Sequence, residues 1–496
     1  MDTDVIVVGA GPTGLLLAGD LAEAGVRVTV LERRTGEANT TRAFAVHART
    51  MEQLRIRGVA DELAAGGSTV RGVRVFGSMQ IDLSSLPTRY NHLLVTPQYR
   101  MEGVLGRRAE RLGVRVVRGA EVTGLAQDGF GVSLTARIRT DGDANHPNDA
   151  NGADGTATTY RARYVVGADG VHSAVRRALG LPFPGRSAVK SIMLADVRLR
   201  ETPADVLTVN AVGDAFAFIA PFGDGWYRVF AWNRRNQVDD SAPVELAEVA
   251  EVTRRSLGTD YGMHDARWLS RFHSDERQVP DYRVGRVFLA GDAAHCHSPA
   301  GGQGMNTGLQ DAANLGWKLA AAVTGRGAHL PIEELLDSYH AERYPVGRQV
   351  LRSSGALLRL ALTRTAPARA LRGVAVGTLL RIPAVARAVA GSISGIGIRY
   401  AAPSGADPRV GTRAPDVTLR DGDLSDALHG GRYALVGDRA ADVTLPEGVI
   451  AAVPASPSSD ADRLVLVRPD GYMGWVGTLD RFAEVRDRFA AAHPVS

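Results

Sequence analysis

Three stretches of this 496-residue chain place glycines and carboxylates where they could hold phosphate and polyol groups. GAGPTG runs from Gly9 to Gly14, and Glu32 follows about twenty residues on. GADG ends in Asp169 and Gly170. GDAAHCHSPAGGQG opens with Gly291 and Asp292, sets His295, Cys296 and His297 side by side, and closes in a glycine-rich loop. In the first stretch Gly9 permits a tight turn, Gly11 lets backbone amides approach a pyrophosphate, and Gly14 lets a helix pack on a strand. Glu32 suits both hydroxyls of an adenosine ribose and repels a 2′-phosphate, which favours FAD or NAD over NADP. Asp292 is a short carboxylate suited to polyol hydroxyls.

Such groups need rigid elements behind them. The spacing predicts a buried strand from Val5 to Val8, a helix from about Thr13 to Ala24, and a strand from Val26 to Leu31 that ends at Glu32. This is a βαβ unit whose helix N-terminus faces the phosphates. ARYVVGADGVHSAVRRALG reads as strand, turn and helix, with Ser173 and Arg176 on the first helical turns. RVFLAGDAAH is an apolar strand that delivers Asp292 to its end. The loop after it enters a helix with apolar Leu309, Ala312, Ala313, Leu315 and Leu319. Its bare amides and positive helix end favour a ring that becomes anionic on reduction, as an isoalloxazine does.

The His295, Cys296, His297 triplet invites a metal or thiol reading. Adjacent side chains on an extended backbone diverge, so three in a row do not converge on one ion, and no second ligand group with metal spacing appears. No base is arranged beside the thiol in any motif. The triplet therefore reads as turn-shaping residues, with Cys296 a small buried hydrophobe.

Composition bounds the rest. The chain is 45% hydrophobic, 23% charged and carries a net charge of +4, which fits two or three domains with buried cores. Its arginines are scattered among carboxylates rather than bunched, which argues against nucleic acid. A single cysteine excludes internal disulfides and makes a reducing cytosol the natural compartment. The N-terminal apolar run breaks at glycine too early for a signal peptide, and no membrane span is expected.

In order and spacing, the three motifs resemble those of the class A flavoprotein aromatic monooxygenases of the para-hydroxybenzoate hydroxylase fold, over about residues 1–400. The phrase AGDAAHCHSPAGGQGMNTGLQDAANLGWKL is similar to the bacterial aromatic polyketide hydroxylase and rifampicin monooxygenase subgroup. Cys296 and Ser298 depart from the aliphatic residues common there. The resemblance implies an α/β fold: a Rossmann-like FAD-binding domain, an inserted antiparallel-sheet substrate domain, and a C-terminal thioredoxin-like domain. It implies that Gly9, Gly11, Thr13 and Gly14 hold the pyrophosphate of FAD, and Glu32 with Arg33 the adenosine ribose. Arg42 and Gln98 would contact the cofactor, and Val122, at the end of its strand, would lie beside adenine. Asp169 belongs to the motif serving FAD and pyridine nucleotide, and Asp292 would hold the ribityl chain. Pro299 and Gly302 join the cofactor set, with Met305 and Asn306 under the flavin ring. NADPH or NADH would reduce the flavin, and O2 would give a C4a-hydroperoxide that hydroxylates a polycyclic phenol. No protein base for that phenol is identifiable. Baeyer-Villiger, epoxidising or rifampicin-type inactivating chemistry shares the framework, and a resistance protein that binds an antibiotic without turnover is a reading of another class. A flavin halogenase would need a W-x-W segment, which is missing.

Residues 1–70, 96–180 and 271–400 are expected in the FAD-binding domain, and 71–95 with 181–270 in the substrate domain. In the latter Phe216, Phe218, Phe222, Trp226, Tyr227, Phe230 and Trp232 alternate as a two-sided sheet requires. The Asp-, Asn- and Gly-rich run at 139–161 reads as a hairpin tip. Residues 351–400 read as helices packed on the flavin domain, with too many arginines for a span. Residues 401–496 read as the thioredoxin-like appendage, which has no cysteine for redox work, so a structural or homodimer-stabilising role is expected.

Overall fold

The computed structural model describes residues 3–36, 43–76, 79–139, 156–298, 301–361, 374, 376–458 and 460–491. Its central sheet has six strands in the order Arg283–Val284, Val287–Leu289, Tyr164–Gly167, Val5–Val8, Val28–Glu32, Arg115–Arg118. All pairs are parallel except the first, with Val7 opposite both Val166 and Val30. Strand Val5–Val8 is buried at every position, as a parallel strand covered on both faces must be. Helices Pro12–Glu23, Gln98–Arg111 and Gln303–Thr324 supply much of the cover, through Leu16, Leu17, Leu105, Leu309 and Leu315. The turns after Val8, Glu32, Gly167 and Leu289 all leave the carboxyl ends of these strands, where open α/β sheets bind ligands.

A second six-stranded sheet is wholly antiparallel, in the order Thr208–Val212, Ala215–Pro221, Tyr227–Asn233, Gly185–Arg198, His264–Gln278, His295–Cys296. Side-chain alternation gives it two characters. One face packs Met193, Ala195, Val229 and Ala231 under helix Leu246–Leu257. The other gathers Phe216, Phe218, Phe230, Trp232 and Phe272 against Phe44. The expected aromatic alternation is thus an aliphatic face and an aromatic one.

Three local expectations change. Among the described residues, 71–95 form ladders of their own rather than pairing into this sheet: Gly72–Phe76 pairs with Met79–Asp82, and Leu93–Val95 lies between Ala45–Val46 and Ser68–Val70. His295 and Cys296 are an edge strand, not a turn, because they pair with Gln278 and Arg277. The 139–161 run is a strand from Thr156 onward, zipped to Val132–Ile138, and its tip lies outside the described residues.

Helix Ile332–Ala361 and helix Pro383–Ser394 follow, the second started by Pro383 at its first turn. A four-stranded sheet ends the chain, in the order Val449–Ala452, Tyr433–Val436, Arg463–Val467, Met473–Thr478, with helix Leu479–Ala491 packed on it through Phe482 and Phe489. Among the described residues no helix is long and apolar enough to cross a membrane.

Candidate functional site

A cavity of about 540 Å³ lies between the carboxyl ends of the parallel strands and the aromatic face of the antiparallel sheet. Gly11, Pro12, Thr13, Gln98, Asp292, Gly302 and Met305 border one end. The three glycines of the first motif divide their work as the sequence suggests. A Cβ on Gly9, whose φ is +105°, would lie 2.4 Å from the Ala168 carbonyl oxygen, and one on Gly14 would lie 2.0 Å from that of Gly9. A Cβ on Gly11 would meet nothing within 4 Å, so that position faces open space.

Helix electrostatics converge on the same space. Helices Pro12–Glu23 and Gln303–Thr324 begin at Gly11 and Gly302, neither has a side-chain cap, and neither carries an acid in its first turn. Their free first-turn N–H groups, from Thr13 onward in the helix that opens with Pro12, and their partial positive charge are thus turned to the cavity, as an anionic ligand requires. The short helix Ala174–Ala178 differs. Ser173 accepts from the Arg176 amide, and Asp169 Oδ2 accepts from the amides of Ala174 and Val175 at 2.7 and 3.2 Å. Asp169 therefore caps its own helix, while Ala168, Gly170, Val171 and His172 form the cavity wall.

Glu32 is buried at the end of its strand. Its Oε2 accepts from the Ala10 amide at 2.6 Å, and Oε1 from both the amide and Nε of Arg34 at 2.9 Å. Burial opposes its ionisation, but Arg34 and these amides outweigh that and hold its carboxyl below the usual range. The arginine beside Glu32 is thus Arg34, while Arg33 is exposed. Val122 is buried within strand Ala120–Gln127 rather than at a strand end, because the backbone breaks at Gly119 instead. Arg42 and Pro299 lie outside the described residues. Gln98 donates to Glu102 and accepts from the Ala43 amide, at 2.8 and 3.4 Å.

Met305 borders the cavity, but Asn306 does not. The Asn306 carboxamide is buried and fully used: Oδ1 accepts from the His47 amide at 2.8 Å, and Nδ2 donates to the carbonyls of Ala45 and Gly302 at 2.9 and 2.8 Å. It ties the start of the long helix to the Ala45–Val46 strand.

Behind the Gly291 turn sits a buried hub absent from the sequence reading. Asp311 Oδ2 accepts from the Gly291 amide at 3.0 Å and pairs with His295 Nε2 at 2.7 Å, while Oδ1 accepts from Arg343 Nε at 2.6 Å. Burial alone would raise the Asp311 pKa, but Arg343 and His295 overcome it and keep the carboxyl ionised. The readable signal was polar spacing on an otherwise apolar helix: Gln310, Asp311, Asn314 and Lys318 are all buried. Cys296 is buried too, and desolvation pushes its thiol up to about 12, so it stays protonated. Among the described residues no cluster of His, Cys, Asp or Glu is arranged to hold a metal ion.

The far wall comprises Phe44, Phe230, Asp240, Arg271, Phe272, His273, Ser274 and Asp275. Of these, Phe230 belongs to the alternating aromatics named above, and Phe44 lies two residues past Arg42 in the same segment.

Residues 2–354 match the family model described as "FAD binding domain". The chain belongs to that family. It is 39% identical over 481 residues to a rifampicin monooxygenase of Streptomyces venezuelae, covering 96% of this chain and 95% of that protein. It is 38% identical over 509 residues to the 12-dehydrotetracycline 5-monooxygenase/anhydrotetracycline 6-monooxygenase of Streptomyces rimosus subsp. rimosus, covering 96% and 95%. Among solved structures it resembles CabE, an aromatic hydroxylase from angucycline biosynthesis, with a TM-score of 0.83, 36% identity and 99% of each chain covered. The family membership, the α/β fold and the monooxygenase relatives agree with an FAD-dependent oxidoreductase. The residues present fit that cofactor: two uncapped helix ends, an open Gly11 and Asp292 border one cavity.

Proposed function

We propose that this protein is an FAD- and NAD(P)H-dependent monooxygenase that hydroxylates a polycyclic phenol such as an aromatic polyketide. The supporting observation is the two-sided cavity, with backbone amides and Asp292 on one side and an aromatic sheet face on the other. Gly9, Gly11, Thr13 and Gly14 would seat the pyrophosphate, Glu32 and Arg33 the ribose, and Gln98, Asp292, Gly302 and Met305 the rest of FAD. Val122, Asp169 and Asn306 would act on the frame around it, since Asp169 Oδ2 and the whole Asn306 carboxamide are spent on backbone partners. Bound FAD supplies electron transfer from nicotinamide and activation of O2. The chain's own work is different. Its helix ends stabilise negative charge at the ring, and Phe44, Phe230 and Phe272 exclude water and offer flat contact area to a fused-ring substrate.

The same reading divides the chain at the boundaries expected above, except that strand His264–Gln278 carries the substrate sheet past residue 270. A thioredoxin-like C-terminal unit is supported by its strand order, in which a parallel pair continues into an antiparallel hairpin and a final helix. Cytoplasmic location and a homodimer belong to this reading as well.

Anaerobic stopped-flow absorbance with NADPH or NADH tests it, with anhydrotetracycline, rifampicin and simpler fused-ring phenols as the panel. Faster flavin reduction with one of them, followed by a product one oxygen atom heavier after air is admitted, is the expected result. Flavin that no aromatic accelerates, with no oxygenated product, would sink the proposal. Rifampicin alone giving product would move the assignment to antibiotic inactivation.

A further inference from the structure

The far wall carries a row of polar groups that cofactor binding does not use. On strand His264–Gln278, residues 273, 275 and 277 fall on one side by alternation. His273 Nδ1 is hydrogen-bonded to Asp240 Oδ2, which also accepts the His273 amide at 3.1 Å. On the other edge of the ring, Nε2 lies 3.5 Å from Asp275 Oδ2, and that oxygen accepts from Arg277 Nε at 2.9 Å. His273, Asp240 and Asp275 border the cavity beside Phe230 and Phe272. His273, the middle member of the row, is also its most exposed, at 47% of its side chain against 14% at Asp275 and 34% at Asp240, so the ring borders the cavity and still reaches bulk water.

The neighbouring groups are unsuited to accept a proton. Burial holds His297 neutral down to about 3, and the Cys296 thiol keeps its proton. Arg271 is committed to Ser191, Glu248 and the Pro243 carbonyl. His273 instead has a carboxylate at each ring nitrogen: Asp240 fixes the tautomer with hydrogen on Nδ1, and Asp275 stands ready to stabilise a cation.

We propose that His273, oriented by Asp240, is the catalytic base that takes the proton of the substrate's phenolic hydroxyl. This rests on the hydroxylase reading above. The phenolic O–H bond breaks, its electron pair stays on oxygen, and the proton joins Nε2. The imidazolium formed is flanked by Asp240 and Asp275, with Asp239 close by, and returns its proton to water through the exposed edge of the ring. The phenolate pushes electron density into the ring, which prepares its carbon for an electrophilic oxygen. The geometry also orients the substrate, with its ionising hydroxyl toward His273 and the carbon to be oxygenated toward Asp292.

The test uses FAD-loaded enzyme with no reductant and anhydrotetracycline as the probe, because phenol ionisation changes the probe's absorption. Titration from about pH 6 to about pH 9 should ionise the bound wild-type probe at lower pH than the free compound. His273→Gln should move that ionisation up by about one pH unit or more, a tenfold loss of phenolate at fixed pH. Flavin content and probe affinity should stay within about twofold. Asp240→Asn should shift it in the same direction by less, and added imidazole should restore ionisation in His273→Ala. An unchanged profile in His273→Gln overturns the assignment. So does a wild-type complex that ionises no more readily than free probe, or the lack of any complex. Because neither NADPH nor oxygenation enters the titration, a normal ionisation shift without product would instead count against the hydroxylase reading alone.

Discussion

The two ends of the cavity are built from different materials. The cofactor end is mostly backbone: Gly9, Gly11 and Gly14, two helix N-termini, and a cavity-facing carboxylate at Asp292. The far wall is side chain: Phe44 from one segment, Phe230 and Phe272 from two strands, and Asp240 from a loop, meeting only in three dimensions. Backbone recognition needs glycine at fixed offsets, so it writes itself into sequence. Side-chain recognition tolerates many arrangements and leaves no local trace. The cofactor end should therefore fail sharply under single changes, while the far wall should change its ligand without losing its flavin.

Gly14→Ala is the severest way to break that contrast. The added Cβ would sit 2.0 Å from the Gly9 carbonyl, so helix Pro12–Glu23 must retreat from strand Val5–Val8. We expect loss of bound flavin and a stability cost of about 3 kcal/mol or more. Flavin content after purification and a denaturation curve check this. A folded, yellow variant would show that the helix can slide without harm, and the backbone argument would fail.

Acid is the next largest perturbation. Burial pushes His47 and His329 down to about 4, and His297 to about 3, from an ordinary 6.5. Their folded values lie below the unfolded one, so between roughly pH 6.5 and 4 the unfolded chain binds more protons and stability falls as pH falls. A fully buried histidine costs about 1.4 kcal/mol per pH unit in that window, and the partly exposed His297 and His329 cost less. His47 and His297 both lie beside the start of helix Gln303–Thr324, within 3.6 Å of where a Cβ on Gly302 or Gly304 would stand. Flavin should therefore leave at mild acid before the chain melts. Flavin fluorescence and circular dichroism recorded down to about pH 5 separate the two events, and simultaneous loss would place the acid-sensitive step elsewhere.

Asp292→Ala sharpens the comparison from the other side. It removes the carboxylate that borders the cavity at the cofactor end, at a position exposed to the cavity rather than packed. Flavin affinity should fall by about tenfold, or 1.4 kcal/mol, with the melting curve little changed. Stoichiometric flavin in this variant would shift the ribityl contact to another residue.

The same distinction sets what could be read in advance. Strand Val5–Val8 was legible to the residue, because a short apolar run before glycine has one reading in a βαβ frame. The Asp311 hub was not, since Asp311, His295 and Arg343 stand 16 and 32 positions apart and pair only once the long helix lies against its neighbour. Asp169 and Asn306 were legible as motif positions, yet their side chains bind backbone. A motif marks the place where a ligand approaches, and its polar side chains can be spent on making that place.

Cys296 gives the smallest expected effect. It stands between Asp292 and the polar row of the far wall, so it touches both ends of the cavity. As a protonated thiol paired through its backbone to Arg277, it offers volume and no charge. Cys296→Ala should cost about 1 kcal/mol of stability and leave flavin content and the reduction rate within about twofold. Differential scanning fluorimetry and the stopped-flow assay measure both. Inactivation with flavin intact would give the thiol a chemical role and would mean that the wall joining the two ends takes part in the reaction as well as shaping it.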